Sequence, residues 1–133
     1  LFFRSVHGTL NHLLVADHCW FARFARGESP LMALDAELET ERSDLRAALM
    51  GAAGGWPAFV ADCPDPRWAG DLHYRRASGE PMVLPFSAAL AHVFNHGTHH
   101  RGQITAAITA LGHDCPQLDL VWMLVEERER APS

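Results

Sequence analysis

Residues 91–103 read AHVFNHGTHHRGQ and place His92, His96, His99 and His100 within nine positions. Histidine is a middling helix former and is costly to bury without a partner, so helix packing alone gives no reason for such a cluster. Neutral imidazole is, however, a good metal ligand and a proton carrier near neutral pH. On a helix, residues four apart lie about 40° apart around the axis and one turn up. His96 and His100 therefore share a face, as do His92 and His96, while His99 points about 60° to one side of His96. Imidazoles at i and i+4 have a chelating spacing, but two ligands do not make a site. The best third ligand is His12, in TLNHLLVAD. Its helical stripe carries the small residues Ser5, Gly8, Thr9, Ala16 and Cys19, which points to close approach of another helix or to a cavity. The stripe of His96 runs Ala89, His96, His100, Gln103, Ala107. His12, His96 and His100 would offer three neutral nitrogens from two helices and leave a position open for water or substrate. An ion so held keeps a formal +2, which lowers the pKa of a bound water or holds a thiol as its thiolate.

The other polar residues rank lower. His92 is either an alternative to His100 or a hydrogen-bonding support of the site, and Gln103 is a second such support. His99 faces a neighbouring helix or an interface. His7, His18, His73 and His113 have no partner spacing and read as surface or ordinary structural residues. Cys19 reads as a small buried thiol. Asp17 is a functional candidate of lower rank. Arg101 either binds an anionic group, as a cofactor-binding residue, or forms a salt bridge between helices. Trp20, Trp56, Trp68 and Trp122 read as core and pocket wall. No Asp or Glu lies on the His96 stripe, so no general base is evident.

The chain that must position these residues has 133 of them, 48% apolar and 20% charged, with a net charge of −5. This suits one globular domain, residues 1–133. It argues against nucleic acid as a partner, because phosphate contacts need clustered Lys and Arg, and the only adjacent basic pair is Arg75–Arg76. Cys19, Cys63 and Cys115 are odd in number and far apart, which fits reduced thiols in the cytoplasm. No apolar run suggests a membrane span. The opening LFFRSVHG has neither an initiator Met nor a signal-peptide pattern, and reads as the start of a piece.

Apolar residues spaced three to four apart predict a helix over 5–26, stopped at Gly27, and a second over 35–50. Glu37, Glu39 and Glu41 would form the solvated face of the second. Gly51, Gly54, Gly55 and Pro57 predict a kink near 54–57, or a break followed by a short helix over 57–62. DLHYRR and PMVLPF around ASGE suit a β-hairpin between 67 and 86. A long helix over 86–111 ends at Gly112, and a shorter amphipathic one spans 117–129. The class is all-α, a helical bundle. Three long helices leave one face open, so a fourth is expected from an N-terminal segment or a second subunit.

The phrases GTLNHLLVADHCWFARF and LAHVFNHGTHHRGQI resemble the DinB-like family, the DinB/YfiT-like metalloenzymes, over residues 5–125. The string N-H-x-x-H-H-R-G-Q is close to a family signature. The resemblance implies a four-helix bundle whose first helix is missing from this sequence. It also implies a divalent ion, Zn or Ni, on His12, His96 and His100. It further suggests a homodimer and, from the family's thiol-dependent transferases, a low-molecular-weight thiol as co-reactant with a small-molecule substrate. A non-catalytic metal- or ligand-binding stress protein and a metal-dependent hydrolase are the alternatives.

Overall fold

The computed structural model describes residues 3–130. Its first helix, α1 (Val6–Phe21), is capped by Ser5, whose backbone is extended and whose hydroxyl accepts from the Gly8 N–H at 2.9 Å. That bond satisfies one of the N–H groups a helix start leaves unpaired. A π-helical turn, Ala22–Arg26, continues α1 to Gly27, whose φ of 67° is left-handed and ends the helix. The expected 5–26 helix is thus present, with a wider last turn.

The second helix departs from the expected 35–50. It is α2 (Arg42–Asp62). The cause is the buried side chain of Asn11, whose Oδ1 accepts from the backbone N–H groups of Leu38 and Glu39 at 2.8 and 3.0 Å. Its Nδ2 donates to the Glu39 carbonyl at 3.0 Å. Backbone groups satisfied this way have no need of helical partners. Glu37, Glu39 and Glu41 consequently lie in the strap before α2 and at its cap, not on a helix face. The expected break is also absent, since α2 runs through Gly51, Gly54, Gly55 and Pro57. Packing outweighs weak propensity here. Trp56 is buried edge-on to Phe21, and a Cβ at Gly55 would lie only 3.0 Å from the Phe21 ring, so the glycine lets α1 and α2 close.

A short helix, α3 (Asp65–Trp68), leads into the expected hairpin, β1 (Asp71–Arg75) and β2 (Pro81–Pro85). The strands are antiparallel, with His73 opposite Val83. Next comes α4 (Phe86–Ala110), ending before Gly112 at φ 81°, then α5 (Leu120–Arg130), which starts three residues later than expected. No helix among the described residues is long and apolar enough to cross a membrane.

Helices α2 and α4 both pack on α1. The main core sits at one end, where Phe24, Trp56, Leu72, Phe86, Ala89 and Leu90 are buried together. Phe24 meets Phe86 edge-to-face at 5.0 Å, a favoured aromatic geometry. The described residues form a mostly helical fold with three long helices rather than a closed set of four. Helix α5 is no fourth wall: none of its residues is buried, and Trp122 is 51% exposed, contrary to its expected place in the core or pocket. Trp56 is buried, while Trp20 and Trp68 are partly buried against the core.

These burials predict a contrast. Phe24→Ala should cost about 3–5 kcal/mol through lost burial and a residual cavity, whereas Trp122→Ala should stay within about 0.5 kcal/mol in the monomer. Urea denaturation of both variants measures it, and equal midpoint shifts would contradict this core.

Candidate metal centre

Close approach of α1 to α4 brings His12, His96 and His100 together. His96 Nε2 lies 3.2 Å from His12 Nε2 and 3.1 Å from His100 Nε2. The candidate ligand atoms of all three lie within 4.8 Å of one another. Tetrahedral ligands about 2.0–2.1 Å from an ion would stand roughly 3.3–3.4 Å apart, close to these separations. His12 and His100 are buried and His96 partly so. The small stripe on α1 permits this approach, with Thr9, Ala16 and Cys19 all buried along it.

The far sides of the rings determine what the near sides offer. His12 Nδ1 is 2.8 Å from the Leu34 carbonyl, which can only accept, so Nδ1 carries the proton and Nε2 a lone pair. His100 Nδ1 donates to Gln103 Oε1 at 2.9 Å, which leaves its Nε2 a lone pair as well. His96 Nε2 faces both, and a single N–H cannot fully satisfy two acceptors. A cation resolves the conflict, and the donor set fits a divalent ion with one position left open. Gln103 Nε2 also donates to His99 Nε2 at 3.0 Å, so His99 braces the amide that orients His100.

The Leu34 carbonyl comes from the strap that Asn11 ties down. Phe3 stacks on the His12 ring at 4.0 Å between centroids, 19° from parallel. Gly8 makes room for this N-terminal turn, since a Cβ there would lie 2.7 Å from the Phe3 carbonyl oxygen. Asn11, Leu34 and Phe3 were not among the expected site residues. Asn11 had a faint signal, as the residue preceding His12 in LNH, but a backbone carbonyl leaves none.

Burial, reinforced by repulsion from His100, His12, His92 and His99, lowers the His96 pKa from 6.5 to about 4. His100 is lowered as well, chiefly by burial, although its bond to Gln103 opposes the shift. Both rings therefore stay neutral, as ligands must, further into acid than free histidine does.

The remaining candidates separate. His92 is exposed and lies edge-on to Trp20 at 5.4 Å; among the described residues no hydrogen bond joins it to the three histidines, so it is not the support expected. His7 is not partnerless: its Nε2 lies 3.0 Å from a Glu37 carboxylate oxygen and 3.0 Å from the Glu39 carbonyl. His18, His73 and His113 are exposed, as expected. Cys19, Cys63 and Cys115 are free, and Cys19 is a buried thiol whose pKa burial raises. The Asp17 carboxylate accepts from Trp56 Nε1 at 2.7 Å, and burial raises its pKa. Arg101 makes no interhelical salt bridge among the described residues. Its guanidinium donates to Thr98 Oγ1 at 3.0 Å and lies across Gly97 on its own helix. Beside His96 an apolar groove of about 660 Å³ opens between α1, α2 and α4, with Asp17 and Arg101 on its lining.

The sequence model of the DinB family matches residues 1–131. The chain belongs to the DinB family. That match covers both histidine-bearing helices and the hairpin between α2 and α4, so family and geometry concern the same residues. No curated protein and no solved structure matches the chain significantly.

The depressed histidines predict how the metal-free protein responds to acid. With His96 at about 4 when folded and about 6.5 when unfolded, the unfolded state binds more protons between these values. Stability should be fully present above pH ~6.5 and should fall as pH drops from there toward ~4. Thermal melts of chelator-treated protein test this, and a midpoint unchanged between pH 7 and 4.5 would contradict it.

Proposed function

We propose that this DinB-family chain is a divalent-metal-dependent enzyme, a thiol-dependent transferase acting on a small molecule. The observation carrying this reading is the convergence of three Nε2 atoms beside an open groove. His12, His96 and His100 are the ligands. Zn or Ni is the ion, since imidazole suits both and the neutral set does not favour hard cations such as Mg or Ca. When bound, the ion supplies Lewis acidity that activates a thiol or water.

The chain's own residues supply the rest. The Leu34 carbonyl and Gln103 hold two rings in the tautomer that offers Nε2. Apolar side chains beside His96 lower the local polarity and so strengthen electrostatic interactions there. Arg101 holds an anionic group, of the thiol or of the substrate, at the groove. Asp17 is tied to Trp56 and is not placed as a base against the histidines, so the reading does not depend on a protein general base. A cytoplasmic protein fits the free cysteines, and a homodimer fits the exposed apolar residues of α5. A metal-binding stress protein without turnover is the alternative. The groove beside the histidines favours the enzyme, since a storage site gains nothing from an open approach to its ion.

His96→Ala should abolish metal retention, measured by elemental analysis, together with turnover of an electrophile panel offered several cellular thiols. Metal retained by that variant would remove the ligand assignment. Absence of turnover by metal-loaded wild type across the panel would favour the storage reading. Gln103→Leu should leave the three ligands but weaken metal binding by roughly 10–100-fold, as expected when a ligating histidine loses its outer hydrogen bond. Competition with a chromogenic chelator measures this, and unchanged affinity would mean that Gln103 does not orient His100.

A further inference from the structure

The strap between Gly27 and α2 holds no helix or strand of its own, so side chains must fix its path. Near its start, Ser29 Oγ accepts from the Arg75 N–H of β1 at 2.9 Å. Its far end is held by Asn11, which takes the Leu38 and Glu39 N–H groups and the Glu39 carbonyl. His7, one turn before Asn11 on α1, adds a second fastening there. Its Nε2 lies 3.0 Å from a Glu37 carboxylate oxygen and 3.0 Å from the Glu39 carbonyl. Both can only accept, so this nitrogen carries a proton. Asn11 Nδ2 then has the His7 carbonyl, at 3.4 Å, for its other N–H. Between these anchors, one hydrogen bond from α1 reaches the strap among the described residues: His12 Nδ1 donates to the Leu34 carbonyl at 2.8 Å. A turn closed by the Ala36 N–H on the Ala33 carbonyl leaves little slack between Leu34 and the end that His7 and Asn11 hold.

We propose that ion binding at His12 and docking of the strap are one coupled equilibrium, in which His7 and Asn11 are positioning residues that set ion affinity without touching the ion. The proposal rests on the reading of His12, His96 and His100 as ligands and adds a control remote from them. With the strap docked, the Leu34 carbonyl keeps the His12 proton on Nδ1 and leaves Nε2 a lone pair for the ion. With the strap released, Nδ1 loses its acceptor. The proton can then move to Nε2 and be donated to His96 Nε2, 3.2 Å away. That state satisfies His12 without an ion and competes with binding. Coupling of this kind is reciprocal, so an ion that binds the docked form better must hold the strap down by the same factor.

Zinc affinity, measured by competition with a chromogenic chelator on variants whose circular dichroism matches wild type, tests the proposal. Asn11→Asp keeps an acceptor for Leu38 and Glu39 but turns an oxygen toward the Glu39 carbonyl. It should weaken zinc binding by roughly 10–100-fold, the range for loss of a ligand's outer support. His7→Leu should weaken it in the same direction by roughly 3–10-fold, and His7→Gln, which keeps an N–H for the Glu39 carbonyl, should recover most of that loss. Should Asn11→Asp fail to fold, the His7 pair decides. Phe24→Leu, which loosens the core at the other end, should lower stability and leave zinc affinity unchanged. Two readouts lie beyond a merely structural role. Nitrogen-15 NMR of metal-free protein should show the His12 proton on Nδ1 in wild type and partly on Nε2 in Asn11→Asp. Zinc should slow amide exchange at Leu38 and Glu39, the two N–H groups held by Asn11. Equal zinc affinity in wild type and every folded strap variant would overturn the coupling and leave the ligand assignment standing. An equal loss in Phe24→Leu, or exchange at Leu38 and Glu39 indifferent to zinc, would also overturn the coupling. A wild type that holds no zinc, nickel or other divalent ion would overturn the ligand assignment and the coupling together.

Discussion

His96 Nε2 stands 3.1–3.2 Å from two imidazole nitrogens that both present lone pairs, and a single N–H cannot satisfy both; this conflict is the constraint around which the chain is arranged. His12 and His100 have their protons committed elsewhere, to Leu34 and Gln103, so the point where three Nε2 atoms meet is short of positive charge. Depressing the histidine pKa values makes added protons an expensive remedy. A divalent ion satisfies all three nitrogens at once, and everything that holds the rings in place while the ion is absent favours its binding. The cost of keeping the rings together is met by the surrounding structure: Phe3 stacked on one ring, the strap over α1, and small residues where α1 and α4 approach.

Asn11 is the hinge of that arrangement. A fully buried amide is unfavourable unless its donors and acceptors are paired, and Asn11 pairs them with the backbone of residues 38 and 39. In doing so it turns a segment with helical potential into a strap and carries the Leu34 carbonyl to His12. One residue thereby links the start of α2 to the tautomer of His12, twenty-two positions before that carbonyl. The LNH phrase thus has a physical meaning: the Asn organises the strap and the adjacent His uses it.

What could be read from the sequence follows from which forces are local. The i, i+4 pair His96 and His100 and the small stripe around His12 are properties of single helices, so periodicity located them. The stop at Gly27 and the hairpin strands were visible for the same reason. The start of α2 was not, because it depends on a side chain thirty residues upstream, and continuity through Gly55 and Pro57 depends on Phe21 and Trp56 meeting across two helices. His92 shares the His96 face on a helical wheel, and its ring lies 5.7 Å from that of His96, yet its edge-on contact with Trp20 could not be read from spacing. His99, expected to face a neighbouring helix or an interface, instead accepts from the Gln103 amide on its own helix, a bond that depends on how that amide is oriented by His100. Trp122 was misplaced because an apolar residue in an amphipathic helix looks the same whether that helix is docked or exposed.

Among the described residues, His96 is the one of the three histidines that lines the groove. Phe24, Trp56 and Phe86 concentrate the packing at one end, where hairpin, α1 and α4 converge. Beyond Trp56 the groove between α1, α2 and α4 opens beside His96. If the walls met there, His96 would be dry and unreachable, fit for structure but not for exchange of a ligand. Leu49 and Val93 line this groove and are only partly buried among the described residues. Gly97 leaves room beside the Arg101 guanidinium, since a Cβ there would stand 2.8 Å from its terminal nitrogen.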